Sequence, residues 1–163
     1  MKTIEIIQQK IMDLTTLAHQ VNKWRLLNKK IVFTNGVFDV FHDGHLASLC
    51  EAASHGNMLV VAVNSDNSVK KLKGPTRPIF DETVRANILA ALIITDAVII
   101  FDEETPLEII KTLLPDVLVK GGDYTVDQVA GAKEVIAAGG EVVMAAMVPA
   151  VSTTTIIARL KNT

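Results

Sequence analysis

The sequence predicts an α/β protein: a Rossmann-like, open five-stranded parallel sheet with helices on both faces. From Ile31 onward, short β-branched runs alternate with helical patterns, as crossover connections between parallel strands require. Hydrophobic residues make up 49% of the chain and aromatic residues only 4%, which is typical of a core built from Val, Ile, Leu and Ala. With 163 residues, the chain is long enough for one domain with a buried core.

The elements follow in chain order. Apolar residues at spacings of three and four predict one or two amphipathic helices in residues 3–27, so we divide the chain into an N-terminal helical extension, 1–28, and the main domain, 29–163. The predicted strands are 31–35, 58–64, 97–101, 117–120 and 141–148. The predicted helices are 44–55, 81–93, 106–114, 126–138 and a last one that opens at 152–155. We expect residues 65–81 to form a polar loop, Val84 to face the core, and Arg85 to point away from it.

Charge and hydropathy exclude several classes of protein. The formal net charge of −2 gives no global electrostatic basis for binding nucleic acid or an anionic membrane. No apolar run approaches the roughly 18 residues of a membrane span, and the N-terminus does not resemble a signal peptide. The single Cys50 fits a reducing compartment. We therefore expect a soluble cytoplasmic protein without nucleic-acid or membrane partners.

Polar residues cluster where the predicted strands end, the edge at which parallel sheets bind ligands. His42 and His45 follow the first strand, with Gly44 between them. A lysine-rich segment follows the second strand, a Gly-Gly-Asp turn the fourth, and a run of hydroxyl residues the fifth. Helix N-termini such as those predicted at Gly44 and at 152–155 bind phosphate oxygens through free N–H groups. Together these features predict a nucleotide triphosphate site, with both imidazoles directed at one phosphorus.

Each feature also has a simpler interpretation. Two histidines three apart can be a solvated or capping pair, a hydroxyl run can be only a helix cap, and Arg85 and Arg159 can form surface ion pairs. Asp39, His42 and His45 could also form a metal site with two histidines and one carboxylate. It is their common position at one sheet edge that favours the nucleotide site.

The residues Gly36-Val37-Phe38-Asp39-Val40-Phe41-His42-Asp43-Gly44-His45 match a known signature, Gly-x-Phe-Asp-x-x-His-x-Gly-His. On this signature the sequence resembles the cytidylyltransferase-like nucleotidyltransferases, from about Lys29 to the C-terminus. A second family element, a Ser-Thr-Thr helix start with a later arginine, matches 152–159. Three further blocks, 63–66, 72–79 and 119–124, are most similar to adenylyltransferases that act on glycero-manno-heptose 1-phosphate.

The resemblance implies an in-line attack by an acceptor phosphate on the α-phosphorus of ATP, with Mg²⁺ carried by the nucleotide phosphates and no protein side chain assigned as a metal ligand. The catalytic residues that it implies are His42, His45 and Lys73. The nucleotide-binding residues that it implies are Thr34, Asn35, Gly36, Phe38, Gly44, Asn64, Gly121, Asp123, Ser152, Thr153, Thr154 and Arg159. For the acceptor we expect Asp39 on sugar hydroxyls and Arg85 on the phosphate, with Arg77 as a further candidate.

The resulting hypothesis is an adenylyltransferase that converts ATP and a sugar 1-phosphate, heptose 1-phosphate above all, into an ADP-sugar and pyrophosphate. Two alternatives stay open: a cytidylyltransferase acting on a polyol or alcohol phosphate, and a nucleotide-binding module without catalysis. The amphipathic prefix with Trp24 predicts a homodimer.

Overall fold

The computed structural model of the chain describes residues 3–122, 124–145 and 153–161. Its core is a five-stranded parallel sheet in the order β3-β2-β1-β4-β5, which confirms the predicted fold class. The strands are β1 Ile31–Gly36, β2 Met58–Asn64, β3 Ala97–Phe101, β4 Val117–Gly121 and β5 Glu141–Ala145. The helices are α1 Ile4–Gln8, α2 Leu14–Leu26, α3 Asp43–Ser54, α4 Asp66–Lys73, α5 Glu82–Ala91, α6 Leu107–Leu113, α7 Ala132–Ala137 and α8 Thr153–Lys161.

Apolar side chains cover both faces of the sheet. Alternate residues of β1 point to opposite faces, so Phe33 packs into one cluster and Val32 into the other. The Phe33 cluster includes residues of α2, α6 and α7, and the Val32 cluster includes residues of α3 and α5. Burial on both faces explains why the strands are nearly continuous runs of Val, Ile and Leu.

The strand order reverses at β1. The chain moves outward from β1 to β2 and β3, then returns to place β4 on the other side of β1. Thr34 is in register with Val61 of β2 and Val119 of β4, so these strands end together. Loops that leave a sheet in opposite directions open a crevice at such a reversal, and residues 34–45 lie beside it.

The N-terminal extension packs on both faces of the sheet. Ile7 and Ile11 contact the Val32 cluster, whereas Leu17 and Trp24 belong to the Phe33 cluster. Between α1 and α2 the backbone pairs with edge strand β3, where Met12 N donates to Val98 O at 2.9 Å. The extension therefore shares the hydrophobic core of the main domain and covers part of its exposed edge. None of the described helices has both the length and the apolarity to cross a membrane.

The predicted polar loop at 65–81 is wrong in its first half, where the chain forms α4. Ser65 caps this helix by accepting a hydrogen bond from Ser68 N at 3.0 Å, and Val69 is fully buried. This helix has only eight residues, several of them charged, so its few buried positions form no recognisable apolar pattern in the sequence. As a consequence, Lys73 lies in the last turn of a helix, where the macrodipole favours a cation.

Three other details differ from the predictions. In α5 the predicted orientation is reversed: Arg85 is 1% exposed and Val84 40% exposed. The predicted helix 126–138 is divided into a 3₁₀ turn, Val126–Gln128, and α7, because Gly131 adopts φ +84° against Ile110. Strand β5 is described as far as Ala145, and the rest of its predicted span lies outside the described residues.

Candidate active site

The signature segment turns sharply after β1. Phe38 and Val40 both have positive φ, 51° and 50°, a conformation that side chains larger than glycine rarely adopt. His42 then returns to an extended conformation as the N-cap of α3. Strain of this kind persists only where tertiary contacts fix the backbone, and it is concentrated at functional sites. Here the contacts converge on Asp39, between the two strained residues.

His42 and His45 lie face to face. Their ring centroids are 3.8 Å apart with an interplanar angle of 21°. Phe38 meets the His45 ring edge-on at 5.4 Å. The Nδ1 atoms of both histidines are buried and have no hydrogen-bond partner among the described residues. A buried polar atom without a partner is costly, so this arrangement is suited to a ligand that supplies one.

The surroundings favour the neutral form of both imidazoles, because burial lowers the pKa of each. Burial, and to a lesser degree the charges of His42 and Lys73, lower the pKa of His45 to about 4. Burial also lowers the pKa of His42, although Asp43 opposes that shift. In the absence of ligand, the histidines thus present N–H donors without permanent charge, and an arriving polyanion would favour their protonation.

Two adjoining cavities open at the ends of β1 and β4. The first, about 290 Å³, is lined by eight residues predicted from sequence: Thr34, Asn35, Gly36, Phe38, His42, Gly44, His45 and Gly121. The second, about 470 Å³, adds five predicted residues: Asp39, Asn64, Lys73, Arg77 and Thr153. His45 lines both cavities. The structure therefore brings most of the predicted site residues into one continuous cleft.

Asp39 is 1% exposed, and its carboxylate already has partners. It accepts hydrogen bonds from Arg77 Nε at 2.7 Å, Ile79 N at 2.9 Å and Phe80 N at 3.0 Å. Burial acts to raise the pKa of Asp39, but these hydrogen bonds outweigh it and lower the pKa. In this geometry the carboxylate fixes the segment 77–80, and its contact with sugar hydroxyls stays a prediction. The same bonds remove it from the hypothetical metal site.

Arg85 has a comparable position in the interior. Its guanidinium donates to three main-chain oxygens, of Phe80, Val37 and Asn64, at 2.9, 2.8 and 2.7 Å. It also pairs with the Asp66 carboxylate at 2.8 Å. Through these four bonds the buried side chain joins the signature turn, the end of β2 and the start of α4, and its binding to the acceptor phosphate stays a prediction.

Arg77 is the arginine that faces the cleft. Its side chain is 14% exposed, Nε is held by Asp39, and Nη2 is buried without a partner in the described part of the protein. Lys73 lines the same cavity, and its charge acts on His45. A fixed guanidinium with a free donor beside a lysine is suited to bind a phosphate group.

The remaining predicted residues lie in different surroundings. Thr153 Oγ1 donates to the Asp39 main-chain oxygen at 2.9 Å, which attaches the start of α8 to the signature turn. The Asn64 side chain donates to Ser68 Oγ at 3.0 Å. Thr154 and Arg159 are exposed on α8, and Asp123 and Ser152 lie outside the described residues.

The sequence interpretation missed Lys120, which lines both cavities at the end of β4. Among the described carboxylates none forms an ion pair with it. A signal was present in the sequence, because a lysine directly after the apolar run Val117–Val119 must lie at the ligand-binding edge of a parallel sheet. No group of three or more described His, Cys, Asp or Glu side chains is arranged to hold a metal.

Comparison with known proteins gives the same picture. The sequence profile described as cytidylyltransferase-like matches residues 33–159. Bifunctional protein HldE of Hyphomonas neptunium is 52% identical over 91% of this chain, and that of Paramagnetospirillum magneticum is 50% identical over 95%. These alignments cover 31% and 32% of the two relatives, so the chain spans about a third of their length.

Two solved structures share the fold. A lipopolysaccharide core biosynthesis protein from Thermoplasma volcanium aligns with a TM-score of 0.60 and 29% identity, covering 74% of this chain and 97% of that one. A pantoate-beta-alanine ligase from Francisella tularensis aligns with a TM-score of 0.59 over 93% of this chain and 76% of that one; at 14% identity, the likeness concerns the fold alone. The match over residues 33–159, the signature and the fold agree: the chain belongs to the cytidylyltransferase-like family of nucleotidyltransferases.

Proposed function

We propose that this domain transfers AMP from ATP to a sugar 1-phosphate, heptose 1-phosphate in particular, and releases pyrophosphate. The observation that carries the proposal is the stacked histidine pair, whose buried Nδ1 atoms lack partners among the described residues where two cavities adjoin. In an in-line displacement the attacking and leaving oxygens lie on opposite sides of the phosphorus. Two cavities that meet at His45 are suited to such a reaction.

The first cavity is assigned to the nucleotide. It combines the N-terminus of α3 at Gly44 with Thr34 and the Gly121–Gly122 turn, so main-chain donors and open glycine surface face the ligand. The second cavity is assigned to the acceptor, because it contains Lys73 and the Nη2 of Arg77, which no described residue hydrogen-bonds. Thr154 and Arg159 of α8, with Ser152 and Asp123, complete the proposed nucleotide contacts, and Thr153 lines the second cavity.

The chemistry requires positioning and charge neutralisation rather than a protein nucleophile. An acceptor phosphate oxygen forms a bond to the α-phosphorus, the bond from that phosphorus to the bridging oxygen breaks, and pyrophosphate leaves. His42 and His45 donate hydrogen bonds to the α-phosphate oxygens, and Lys73 neutralises their charge. Mg²⁺ would reduce repulsion between the phosphates; the side chains facing the cleft are mainly neutral or cationic, so it would be held by phosphate oxygens.

The choice of acceptor follows from the sequence blocks that resemble heptose 1-phosphate adenylyltransferases. It is supported by about 50% identity to proteins named HldE and by the likeness to a lipopolysaccharide core biosynthesis protein.

The proposal places the enzyme in the cytoplasm, where ATP is available. It also includes a homodimer, because Leu26 and Leu27 at the end of α2 are 85% and 66% exposed. Light scattering of the purified chain tests the dimer.

The direct test incubates the protein with Mg²⁺, ATP or CTP, and a panel of sugar 1-phosphates and polyol phosphates, and measures pyrophosphate. Turnover is expected with ATP and heptose 1-phosphate. Turnover only with CTP and a polyol phosphate would replace the proposed substrates, and binding of ATP without any turnover would indicate a non-catalytic module.

Variants of two histidines test the mechanism. His42→Ala should lower kcat by about 10²–10³-fold, the range for removal of a preorganised donor, with a smaller effect on nucleotide affinity. His19→Ala is the matched control, because His19 is exposed on α2. Equal kcat values for the two variants would refute the role of the histidine pair.

A further inference from the structure

Lys120 occupies the junction of the two cavities. It is the penultimate residue of β4, and its side chain lines both the nucleotide cavity and the acceptor cavity. Nζ lies 3.4 Å from Asn35 Oδ1 and 5.7 Å from the centroid of the Tyr124 ring. The amide oxygen on β1 and the aromatic face thus hold the ammonium group above the carboxyl end of the sheet.

The ammonium group forms no ion pair in the described part of the protein; Glu104 lines the acceptor cavity with it, but that carboxylate is exposed and not paired with Lys120. The four described ion pairs involve other cations, and the Asn35 contact is long for a hydrogen bond. Burial lowers the pKa of Lys120, which reflects the cost of a charge withdrawn from water. The cost of burying a cation that has no carboxylate partner is offset when an anion binds beside it.

The other cleft-lining groups differ from Lys120 in charge or position. Lys73 and Arg77 line the acceptor cavity and not the nucleotide cavity. His45 lines both cavities, but its pKa of about 4 leaves it uncharged at neutral pH. Among the described residues that line both cavities, Lys120 is therefore the one that brings a positive charge in the absence of ligand.

An in-line transfer brings donor and acceptor together at one phosphorus, which belongs where the two cavities join. We propose that Lys120 binds the phosphoryl group being transferred, through Nζ and a non-bridging oxygen of the α-phosphate, opposite the histidine pair. This inference rests on the proposed function. Lys120 moves no proton in this step. It neutralises charge on the equatorial oxygens while the acceptor oxygen bonds to phosphorus and pyrophosphate departs.

The test compares Lys120→Met, Lys120→Arg and Lys133→Met, the last because Lys133 is exposed on α7. Lys120→Met should lower kcat by about 10²–10³-fold and weaken ATP affinity by about tenfold. Lys120→Arg should recover at least tenfold of the lost kcat, because it restores the charge, and Lys133→Met should match the wild type. Circular dichroism and Tm establish folding, and Lys120→Gln replaces the Met variant if that variant does not fold.

Two results would overturn the inference. In one, the folded variant keeps kcat within twofold of the wild type, whether or not ATP binding weakens. In the other, Lys120→Arg loses as much kcat as Lys120→Met. Failure of the proposed function is a separate result, because the wild type itself would then turn over no sugar 1-phosphate. In that case calorimetry with Mg-ATP alone decides: about tenfold weaker binding by Lys120→Met is expected, and unchanged affinity would refute the contact.

Discussion

Replacement of Arg85 by methionine should lower the free energy of unfolding of the domain, and not only weaken substrate binding. The guanidinium is 1% exposed and bonds to the main-chain oxygens of Val37, Asn64 and Phe80 and to the Asp66 carboxylate. Methionine fills part of the space but leaves the carbonyls and the carboxylate without a donor. Removing one partner of a buried ion pair destabilises a protein by about 3–5 kcal/mol. In a chain of this size that corresponds to a fall in Tm of about 6–20 °C.

Urea denaturation followed by fluorescence measures this change directly, because Trp24 is the single tryptophan and lies in the core. Lys111→Met is the matched control, because Lys111 pairs with Glu108 at 3.0 Å on the surface, where both side chains are exposed. Loss of an exposed ion pair should change the free energy of unfolding by at most about 1 kcal/mol. The reasoning fails if Arg85→Met destabilises by less than about 1 kcal/mol, a cost typical of ordinary single substitutions, and instead abolishes acceptor binding.

Three further predictions concern protonation, backbone conformation and helix capping. ATP should bind with proton uptake at pH 6, and more tightly as pH falls toward 5, because nearby phosphates raise the pKa of His45, which is about 4 without ligand, by about 1–3. Calorimetry in buffers of different ionisation enthalpy should show less proton uptake for His45→Gln than for the wild type. Gly131→Ala should lower Tm more than Gly139→Ala: both glycines have positive φ, but only at Gly131 would a Cβ meet Ile110, at 2.6 Å. Ser65→Ala should cost about 1 kcal/mol in urea denaturation through loss of the α4 cap, and an unchanged midpoint would contradict that role.

Local sequence pattern was sufficient for the architecture. The β-branched run at 31–33, the alternation that follows it and the signature from Gly36 to His45 predicted a parallel sheet with the histidine pair at its carboxyl edge. Such inferences succeed because strand and helix periodicities, and the approach of side chains three residues apart on a helix, depend on neighbours along the chain. The stacking of His42 on His45 is a local consequence of this kind.

Tertiary structure decided which polar residues face the cleft. Arg85 was expected to point away from the core, yet it is 1% exposed, and two of its partners, the oxygens of Val37 and Asn64, lie 48 and 21 residues away. Asp39 is likewise engaged by the segment 77–80, and Lys120 reaches the cleft because the strand order sets β4 beside β1. The sequence by itself determined the fold class and the position of the histidine pair at the carboxyl end of the first strand. The assignment of Arg85 and Asp39 to the interior and of Arg77 and Lys120 to the cleft required the folded chain, because burial of a charge depends on partners that are distant in sequence.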